Sequence, residues 1–194
     1  SRGLGDVYKR QVTHRKDNPI MQSVIGPSEE HVSMAGIPTE ASILELVDKA
    51  IPGKVVNVYN PPAGGGKLMT IMQIHKDNPA DEGIQRQAAI LAFGAFKELK
   101  TVWLVDEDVD IFDMNDVVWT MNTRFQADQD FVCIPGMRNH PLDPSERPQY
   151  DPKSIRVKGM SSKTIVDGTV PLDMKDQFIR AKFKEIPDWE KYLK

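Results

Sequence analysis

The chain contains 194 residues, of which 40% are hydrophobic and 27% are charged. This composition excludes a globally disordered chain, because it supplies enough apolar surface for a core. The 25 basic residues are balanced by 28 acidic ones, for a formal net charge of −3. A general nucleic-acid-binding role is therefore disfavoured, since it needs a basic surface. Cys133 is the single cysteine, which excludes a disulfide framework and favours a reducing cytoplasm.

The first eleven residues have the character of a non-native leader. Residues 1–11 carry neither an initiator methionine nor the apolar segment of a signal peptide,. They are similar to a translated adapter sequence, so we leave them out of the fold prediction. We expect the native sequence to enter in mid-protein at about Val12.

Residues 12–50 are predicted to begin as an extended segment and to end as a helix. Residues 14–25 have an extended character, and a turn is predicted at residues 28–31,. Pro38 is expected to interrupt the following stretch, because a proline breaks the hydrogen-bond ladder of a helix. Apolar residues then recur at helical spacing over residues 42–50, which predicts a helix there,.

Residues 51–160 are predicted to form an α/β domain. Four short segments have the composition of strands: 54–59, 68–74, 101–105 and 131–134,. Residues 80–99 carry apolar side chains at three- and four-residue steps, which predicts a helix. Asn115 or Asp116 is predicted to cap a second helix,. The alternation of predicted strands and helices along the chain indicates a layered βαβ sheet with right-handed crossovers. The apolar run 101–105 is typical of a strand covered on both faces.

The remainder of the chain is predicted to be an irregular, proline-rich segment at residues 140–152 and a C-terminal arm at residues 161–194. The arm is amphipathic over residues 173–194, which include Phe178, Ile179, Phe183, Ile186, Trp189, Tyr192 and Leu193. A free tail would not expose so many apolar side chains. We therefore expect the arm to pack either on its own domain or on a neighbouring subunit.

Two motifs carry residues that often bind ligands. The run Gly64-Gly65-Gly66-Lys67 is only a loop in our interpretation, because Pro61 and Leu68 stand where a phosphate loop has glycine and Ser or Thr,. The acidic run Asp106–Asp110 follows a predicted buried strand, where carboxylates can bind Mg²⁺ or Mn²⁺. The same carboxylates can instead cap the next helix. The first interpretation would describe a Mg²⁺- or Mn²⁺-dependent transferase, and the second a structural loop.

Glu29 and Glu30 form a candidate acid–base group. Neighbouring carboxylates raise the pKa of one member towards neutrality, which suits a proton donor, although adjacent charges also occur in solvated turns. The four histidines include no HExxH pair, so zinc hydrolysis is not predicted. Cys133 lies within an apolar run and is expected to be a buried, inert thiol.

In the order and spacing of its motifs, the chain resembles the C-terminal region of UbiD-family decarboxylases. The resemblance rests on five segments: 14–20, 105–110, 115–119, 123–124 and 141–144. The triplet His140-Pro141-Leu142 and residues 161–182 resemble the branch that acts on hydroxylated benzoic acids such as gallate or protocatechuate.

This resemblance implies a carboxy-lyase that removes CO₂ non-oxidatively from aromatic acids, with prenylated FMN, Mn²⁺ and K⁺. It implies a catalytic acid at Glu29, or alternatively at Glu30. Four residues are implied to line the substrate pocket: His140, Leu142, His75 and Lys97. A neutral imidazole would activate the phenol, and the glutamate would protonate the ring carbon. The acidic run would be a structural landmark, and no metal ligand is expected in this chain.

The resemblance also implies that the catalytic arginine, the metal ligands and most flavin contacts precede this chain. Residues 12–50 would then end the cofactor region, residues 51–160 would form the C-terminal domain, and residues 161–194 would form the arm. We expect a cytoplasmic homo-oligomer without a membrane span, of which this fragment alone is inactive. A third hypothesis is a non-catalytic oligomerisation module built around the arm.

Overall fold

The computed structural model describes residues 14–19, 29–141, 143, 145, 160–181 and 187–192. The expected leader, the second half of the expected extended segment (residues 20–25), and Leu142 lie outside these residues. Within the described part of the chain, no helix is long and apolar enough to cross a membrane.

The first element is helix α1, Glu29–Ala50, which contains Pro38. The predicted interruption at Pro38 is wrong, and the helix runs through the proline. Its inner face is apolar, and Ile43 and Val47 on that face are fully buried. The hydroxyl of Thr39 donates to a backbone carbonyl of the preceding turn at 2.7 Å. Tertiary burial of the inner face therefore outweighs the local cost of proline.

Five strands form one mixed sheet: β1 (Val55–Tyr59), β2 (Met69–Ile74), β3 (Thr101–Asp106), β4 (Phe131–Arg138) and β5 (Met160–Asp167). Their order across the sheet is β1-β2-β3-β5-β4. β2, β3 and β5 run parallel, whereas β1 and β4 lie antiparallel at the two edges. The predicted α/β class is confirmed.

Three further helices connect the strands: α2 (Ile84–Ala95), α3 (Met114–Arg124) and α4 (Ala127–Asp130). α2 is shorter than the predicted helix 80–99. At its start, Asn78 caps a separate 3₁₀ turn over Pro79–Asp81. At its end, Phe96 adopts an extended backbone, so residues 97–99 form a turn.

The N-cap of α3 is Asp113, not Asn115 or Asp116 as predicted. The Asp113 carboxylate accepts a hydrogen bond of 2.9 Å from the backbone N–H of Asn115. Asp113 has the extended backbone that an N-cap requires (φ −98°, ψ 103°),. The cap therefore lies two residues before Asn115 and three before Asp116.

Apolar clusters cover both faces of the central strands, as predicted for the run 101–105. On one face, α1 packs on β1 and on α2, and α2 packs on β3 and β5. Met72 and Leu104 belong to the buried cluster of this face. On the other face, Val117 of α3 joins Ile71 and Val105. The nearly continuous apolar character of β3 follows from this double burial.

Strand β5 begins at Met160 and continues into residues 161–194, which were expected to form the arm. It pairs with β3 on one side and with β4 on the other. Its inward positions include Ser161, Lys163 and Asp167, which are all buried. Because three of its four buried side chains are polar, the apolar alternation that marks a strand is missing from its sequence,.

Strand β4 forms one edge of the sheet and is longer than the predicted strand 131–134. Its side chains are exposed or half-buried along its length, and Cys133 is an exposed free thiol. The prediction of a buried thiol is therefore wrong. The apolar run at residues 131–134 correctly indicated a strand. It did not show that the two faces of this edge strand are only partly covered.

Candidate functional site

A cavity of about 350 Å³ lies between α1 and the segments that precede β2 and β3. Its wall includes four polar side chains: His31, Thr39, Lys67 and Glu98. Apolar contacts come from α1 and from Phe96 in the turn after α2. The cavity therefore lies at the amino-terminal ends of two parallel strands, where an ammonium, a carboxylate and an imidazole meet.

A buried network holds the loop before β2 in place and thereby positions Lys67. The Asn60 amide donates to the carbonyl of Gly66 at 3.3 Å and accepts from the Thr70 hydroxyl at 2.6 Å. The backbone N–H of Asn60 donates to Glu40 of α1 at 2.7 Å. These bonds tie the loop both to the sheet and to α1, so Lys67 faces the cavity from a fixed backbone.

The same loop approaches α1 so closely that only glycine fits at residue 66. Gly66 has a positive φ of +68°, and a Cβ there would lie 2.7 Å from the carbonyl oxygen of Val32. The glycine-rich sequence that resembles a phosphate loop thus serves close packing. The interpretation of this motif as a plain loop is confirmed.

Glu98 connects His140 to the cavity. His140 follows β4, and its Nε2 lies 3.3 Å from Oε2 of Glu98. Both side chains are largely buried, with 13% of His140 and 24% of Glu98 exposed. A carboxylate in this place can orient the imidazole ring. The arrangement therefore suits acid–base chemistry on a ligand in the cavity.

The predicted catalytic acids lie next to this cavity in sequence. Glu29 and Glu30 are the first two residues of α1, and His31 of the cavity wall follows them directly. The structure describes only the backbone of these two glutamates. Leu142 lies outside the described residues. Lys97 has an exposed side chain, and its backbone carbonyl accepts a hydrogen bond from Lys163 at 2.8 Å.

His75 lies at the other end of the sheet. It follows β2, so the strand, about 20 Å long, separates it from the cavity. Its Nδ1 is 2.8 Å from Glu107, and its Nε2 is 3.4 Å from Asp77. The hydrogen bond with Glu107 raises the pKa of His75 above the ordinary imidazole value. The six predicted site residues are thus not brought to one place.

His31 and Lys67 line the cavity, although sequence reasoning did not select them as site residues. Lys67 has a detectable signal, since it ends a glycine-rich loop whose packing demands a fixed backbone. His31 has no signal beyond its position after Glu29 and Glu30. The two residues come together only because the loop before β2 packs on α1.

The acidic run is neutralised by arginines. Arg124 of α3 binds Asp106 at 3.0 Å and Asp108 at 2.9 and 2.6 Å, and it is almost fully buried. Arg180 binds Asp108 at 2.8 Å and Asp116 at 2.6 Å. Across the described ranges, no three His, Cys, Asp or Glu side chains are placed to hold a metal ion. The run is therefore structural, and a metal-dependent transferase is not supported.

Comparisons with known proteins agree with this architecture. A family model described as "3-octaprenyl-4-hydroxybenzoate carboxy-lyase C-terminal domain" matches residues 32–168. The gallate decarboxylase of Lactiplantibacillus plantarum is 85% identical over 183 residues, which are 94% of this chain and 37% of that protein. The chain thus spans about a third of the length of this relative.

Two solved structures are similar in fold. The apo 3,4-dihydroxybenzoic acid decarboxylase of Klebsiella pneumoniae is 53% identical, with a TM-score of 0.81, over 90% of this chain and 36% of that one. A UbiD-class enzyme of Pelotomaculum thermopropionicum in complex with FMN is 32% identical, with a TM-score of 0.71, over 89% of this chain and 35% of that one. With the family match over more than half of its residues, the chain belongs to the UbiD family of carboxy-lyases.

Proposed function

We propose that this chain forms the C-terminal part of a decarboxylase of hydroxylated aromatic acids, with gallate and 3,4-dihydroxybenzoate as the first candidate substrates. The likeness to enzymes of those two acids supports the substrate class. The observation that carries the proposal is the cavity at the start of α1, which Lys67 and Glu98 line, with His140 3.3 Å behind Glu98. A cation in such a cavity suits the carboxylate of an aromatic acid.

The cavity suits a single substituted ring. Its volume of about 350 Å³ falls in the range of small-molecule sites. Met34 and Phe96 offer apolar contact to a ring, and the Lys67 ammonium attracts a carboxylate or phenolate oxygen. His140, held by Glu98, would take the proton of a ring hydroxyl. The resulting phenolate enriches the ring in electrons, which favours protonation at the carbon that loses CO₂.

The proton that replaces CO₂ is assigned to Glu29, with Glu30 as the alternative donor. Loss of CO₂ from the carboxylate leaves an electron pair on the ring carbon, and one proton from the glutamate completes the product. The position of both residues directly before His31 supports this assignment. Leu142, Lys97 and His75 stay predictions as pocket residues, and His75 lies at the opposite end of β2 from the cavity.

The cofactors are proposed to be held mainly by residues outside this chain. The described residues do not fit a metal site, so we place the ligands of Mn²⁺ and K⁺ elsewhere and derive no step through a metal. A relative in complex with FMN supports a flavin, and we propose the prenylated form. Such a flavin supplies an acceptor for the electron pair that remains when CO₂ departs.

We also propose a homo-oligomer in the cytoplasm. Ile179, in the arm, is 78% exposed, and an exposed free thiol such as Cys133 persists in a reducing compartment,. The proposed oligomer is tested by measuring the mass in solution of the chain with and without residues 173–194. An unchanged oligomer after the deletion would remove the arm from the interface.

The function is tested with a complete enzyme that contains this chain, reconstituted with prenylated FMN. We expect CO₂ release from gallate or 3,4-dihydroxybenzoate, and we expect His140→Leu and Lys67→Met to lower kcat/KM by about 100-fold or more. Lys49→Met is the matched control, since Lys49 is exposed and pairs with Glu45 one turn away. Absence of turnover with every aromatic acid tested would refute the proposal.

A further inference from the structure

A second cavity, of about 450 Å³, lies at the carboxyl end of β3, and we call it the arm cavity. Its wall includes residues 106–108 at the end of β3, Arg124 of α3, and Lys175 and residues 178–180 of the arm. The six residues of β3, about 20 Å long, separate it from the cavity at the start of α1. The two cavities are therefore distinct.

The chain leaves the carboxyl ends of two neighbouring parallel strands in opposite directions. β2 leads to α2, which packs on one face of the sheet, and β3 leads to α3, which packs on the other face. Such a divergence leaves a crevice outside the carboxyl ends of the strands, where open α/β sheets bind ligands. The arm cavity lies at this crevice, because Asp106 in its wall is the last residue of β3.

Each carboxylate in the wall of the arm cavity already has a basic partner. Arg124 binds Asp106 and Asp108. Glu107 lies 2.8 Å from Nδ1 of His75. These carboxylates therefore do not make the cavity a strongly negative site.

The arm adds an ammonium and an apolar surface to this wall. Lys175 is half-buried, and its Nζ donates to the backbone carbonyl of Lys76 at 2.6 Å. This acceptor is neutral, so the bond fixes the ammonium without cancelling its charge. Phe178 is half-buried, and Ile179 is 78% exposed. A ring that carries a carboxylate matches both the charge and the apolar contacts.

Three buried polar atoms of wall residues have no hydrogen-bond partner within the part of the chain that the structure describes. They are Oδ1 of Asp106, Nε of Arg124 and Nη2 of Arg180. The Arg124 side chain is only 2% exposed, and buried polar groups are nearly always paired. The two nitrogens are donors that require an acceptor, and the carboxylate oxygen requires a donor. An acid with a hydroxyl group offers both.

From these observations we propose that the arm cavity binds a small aromatic acid that carries a hydroxyl group. The carboxylate would lie against Lys175, the ring against Phe178 and Ile179, and the hydroxyl towards Asp106. The volume of the cavity is in the range of small-molecule sites. The inference goes beyond the proposed function and does not rest on it, because it concerns the opposite end of β3.

The site is tested by NMR with the full chain carrying Lys67→Met, which removes the ammonium of the other cavity. We expect 3,4-dihydroxybenzoate to shift the backbone amide signals of Lys175, Phe178 and Ile179, with a dissociation constant of about 1 mM or tighter. Catechol, which lacks the carboxylate, should bind about tenfold more weakly. Benzoate, which lacks the hydroxyl groups, should also bind more weakly. Unshifted signals, or equal affinity for catechol or benzoate, would overturn the proposal.

The role of the ammonium is tested in the same background with Lys175→Met, which should weaken binding about tenfold, and Lys175→Arg, which should restore most of the affinity. Lys191→Met is the control, because Lys191 also belongs to the arm but is exposed and pairs with Asp188. Equal affinity in Lys175→Met and Lys191→Met would overturn the role of Lys175.

A second variant covers the case in which Lys175→Met releases the arm. Ile179→Ser changes an exposed side chain, so the fold should remain intact, while binding should weaken about threefold through lost apolar contact. Ile90→Ser is the matched control, because Ile90 is 55% exposed and lies on α2. Equal affinity in these two variants would contradict the placement of the ring.

The same titration with a complete enzyme that contains this chain and Lys67→Met shows whether the arm cavity stays open there. We expect 3,4-dihydroxybenzoate to bind with an affinity that Lys175→Met lowers. Loss of this binding in the complete enzyme would show that another part of the protein covers the cavity, and it would overturn the proposal. Because binding is measured without turnover, an inactive enzyme would refute the proposed function and leave this inference standing.

Discussion

The guanidinium of Arg124 binds the carboxylate of Asp108 through two parallel hydrogen bonds of 2.9 and 2.6 Å. A third bond, of 3.0 Å, reaches Asp106 at the end of β3. The hydrogen bonds from Arg124 lower the pKa of Asp108, whereas burial raises the pKa of Asp106. One buried cation therefore joins the carboxyl end of β3 to α3 and accounts for the acidic run.

Replacing this cation is expected to destabilise the fold. Arg124→Met should lower the free energy of unfolding by about 3 kcal/mol, because it leaves Asp106 buried without its charged partner. Urea denaturation measures the change, and Arg138→Met, at an exposed position, is the control. Added Mg²⁺ or Mn²⁺ should leave the unfolding midpoint of the wild-type chain unchanged. A rise in the midpoint would instead revive the hypothesis of a metal-dependent transferase.

The buried ammonium of Lys163 should make stability depend on pH. Burial lowers the pKa of Lys163 to about 8, whereas an unfolded lysine titrates at about 10.4. Between these values the unfolded chain holds a proton that the folded chain has released, so the free energy of unfolding rises with pH. Relative to Lys163→Met, wild-type stability should increase by up to about 3 kcal/mol between pH 7.5 and pH 10.5.

Urea denaturation of the wild type and of Lys163→Met at several pH values measures the difference between their free energies of unfolding. Comparing them removes the contribution of every other titrating group and any loss of contacts that does not depend on pH. Lys49→Met, at an exposed site, should show no such trend against the wild type. A difference between wild type and Lys163→Met that stays flat over this range would contradict the prediction.

The contact between Gly66 and α1 can be isolated with a matched pair of substitutions. Gly53 and Gly66 have nearly the same φ, +70° and +68°, but a Cβ at Gly53 would meet nothing within 4 Å. Gly53→Ala should lower the free energy of unfolding by about 1 kcal/mol, because its only penalty is a left-handed backbone conformation that alanine disfavours. Gly66→Ala should cost about 3 kcal/mol, because its methyl group also meets the carbonyl of Val32. If chemical denaturation showed that both substitutions lower the free energy of unfolding equally, the close contact between Gly66 and the carbonyl of Val32 would be contradicted.

His75 should titrate above the ordinary imidazole range. Its pKa is raised first by the hydrogen bond with Glu107 and further by Asp77. The stabilisation from protonated His75 is complete below about pH 6.5 and is lost as the pH rises through the raised pKa. NMR titration should show a lower pKa in Glu107→Gln, a smaller decrease in Asp77→Asn, and a weaker shift in 1 M salt. A pKa unaffected by Glu107→Gln would exclude the pairing.

The sequence predicted the elements whose local signal matches their environment. β2 and β3 have apolar runs and are largely buried, so composition and burial agree. β5 was missed because its buried positions include Ser161, Lys163 and Asp167. Contacts with distant segments satisfy the polar groups of Lys163 and Asp167. Pro38 misled the prediction because the packing of α1 on the sheet was not visible in the sequence.

By itself, the sequence determined the α/β class, the family resemblance and the candidate base His140, since each depends on residue types in a given order. Only the tertiary structure decided which of these residues meet. Glu98 reaches His140 because the turn after α2 packs beside the end of β4, and Lys67 reaches the cavity because a glycine contacts α1. His75 and Lys67 are only eight residues apart, but they lie at opposite ends of the sheet because strand β2 runs between them.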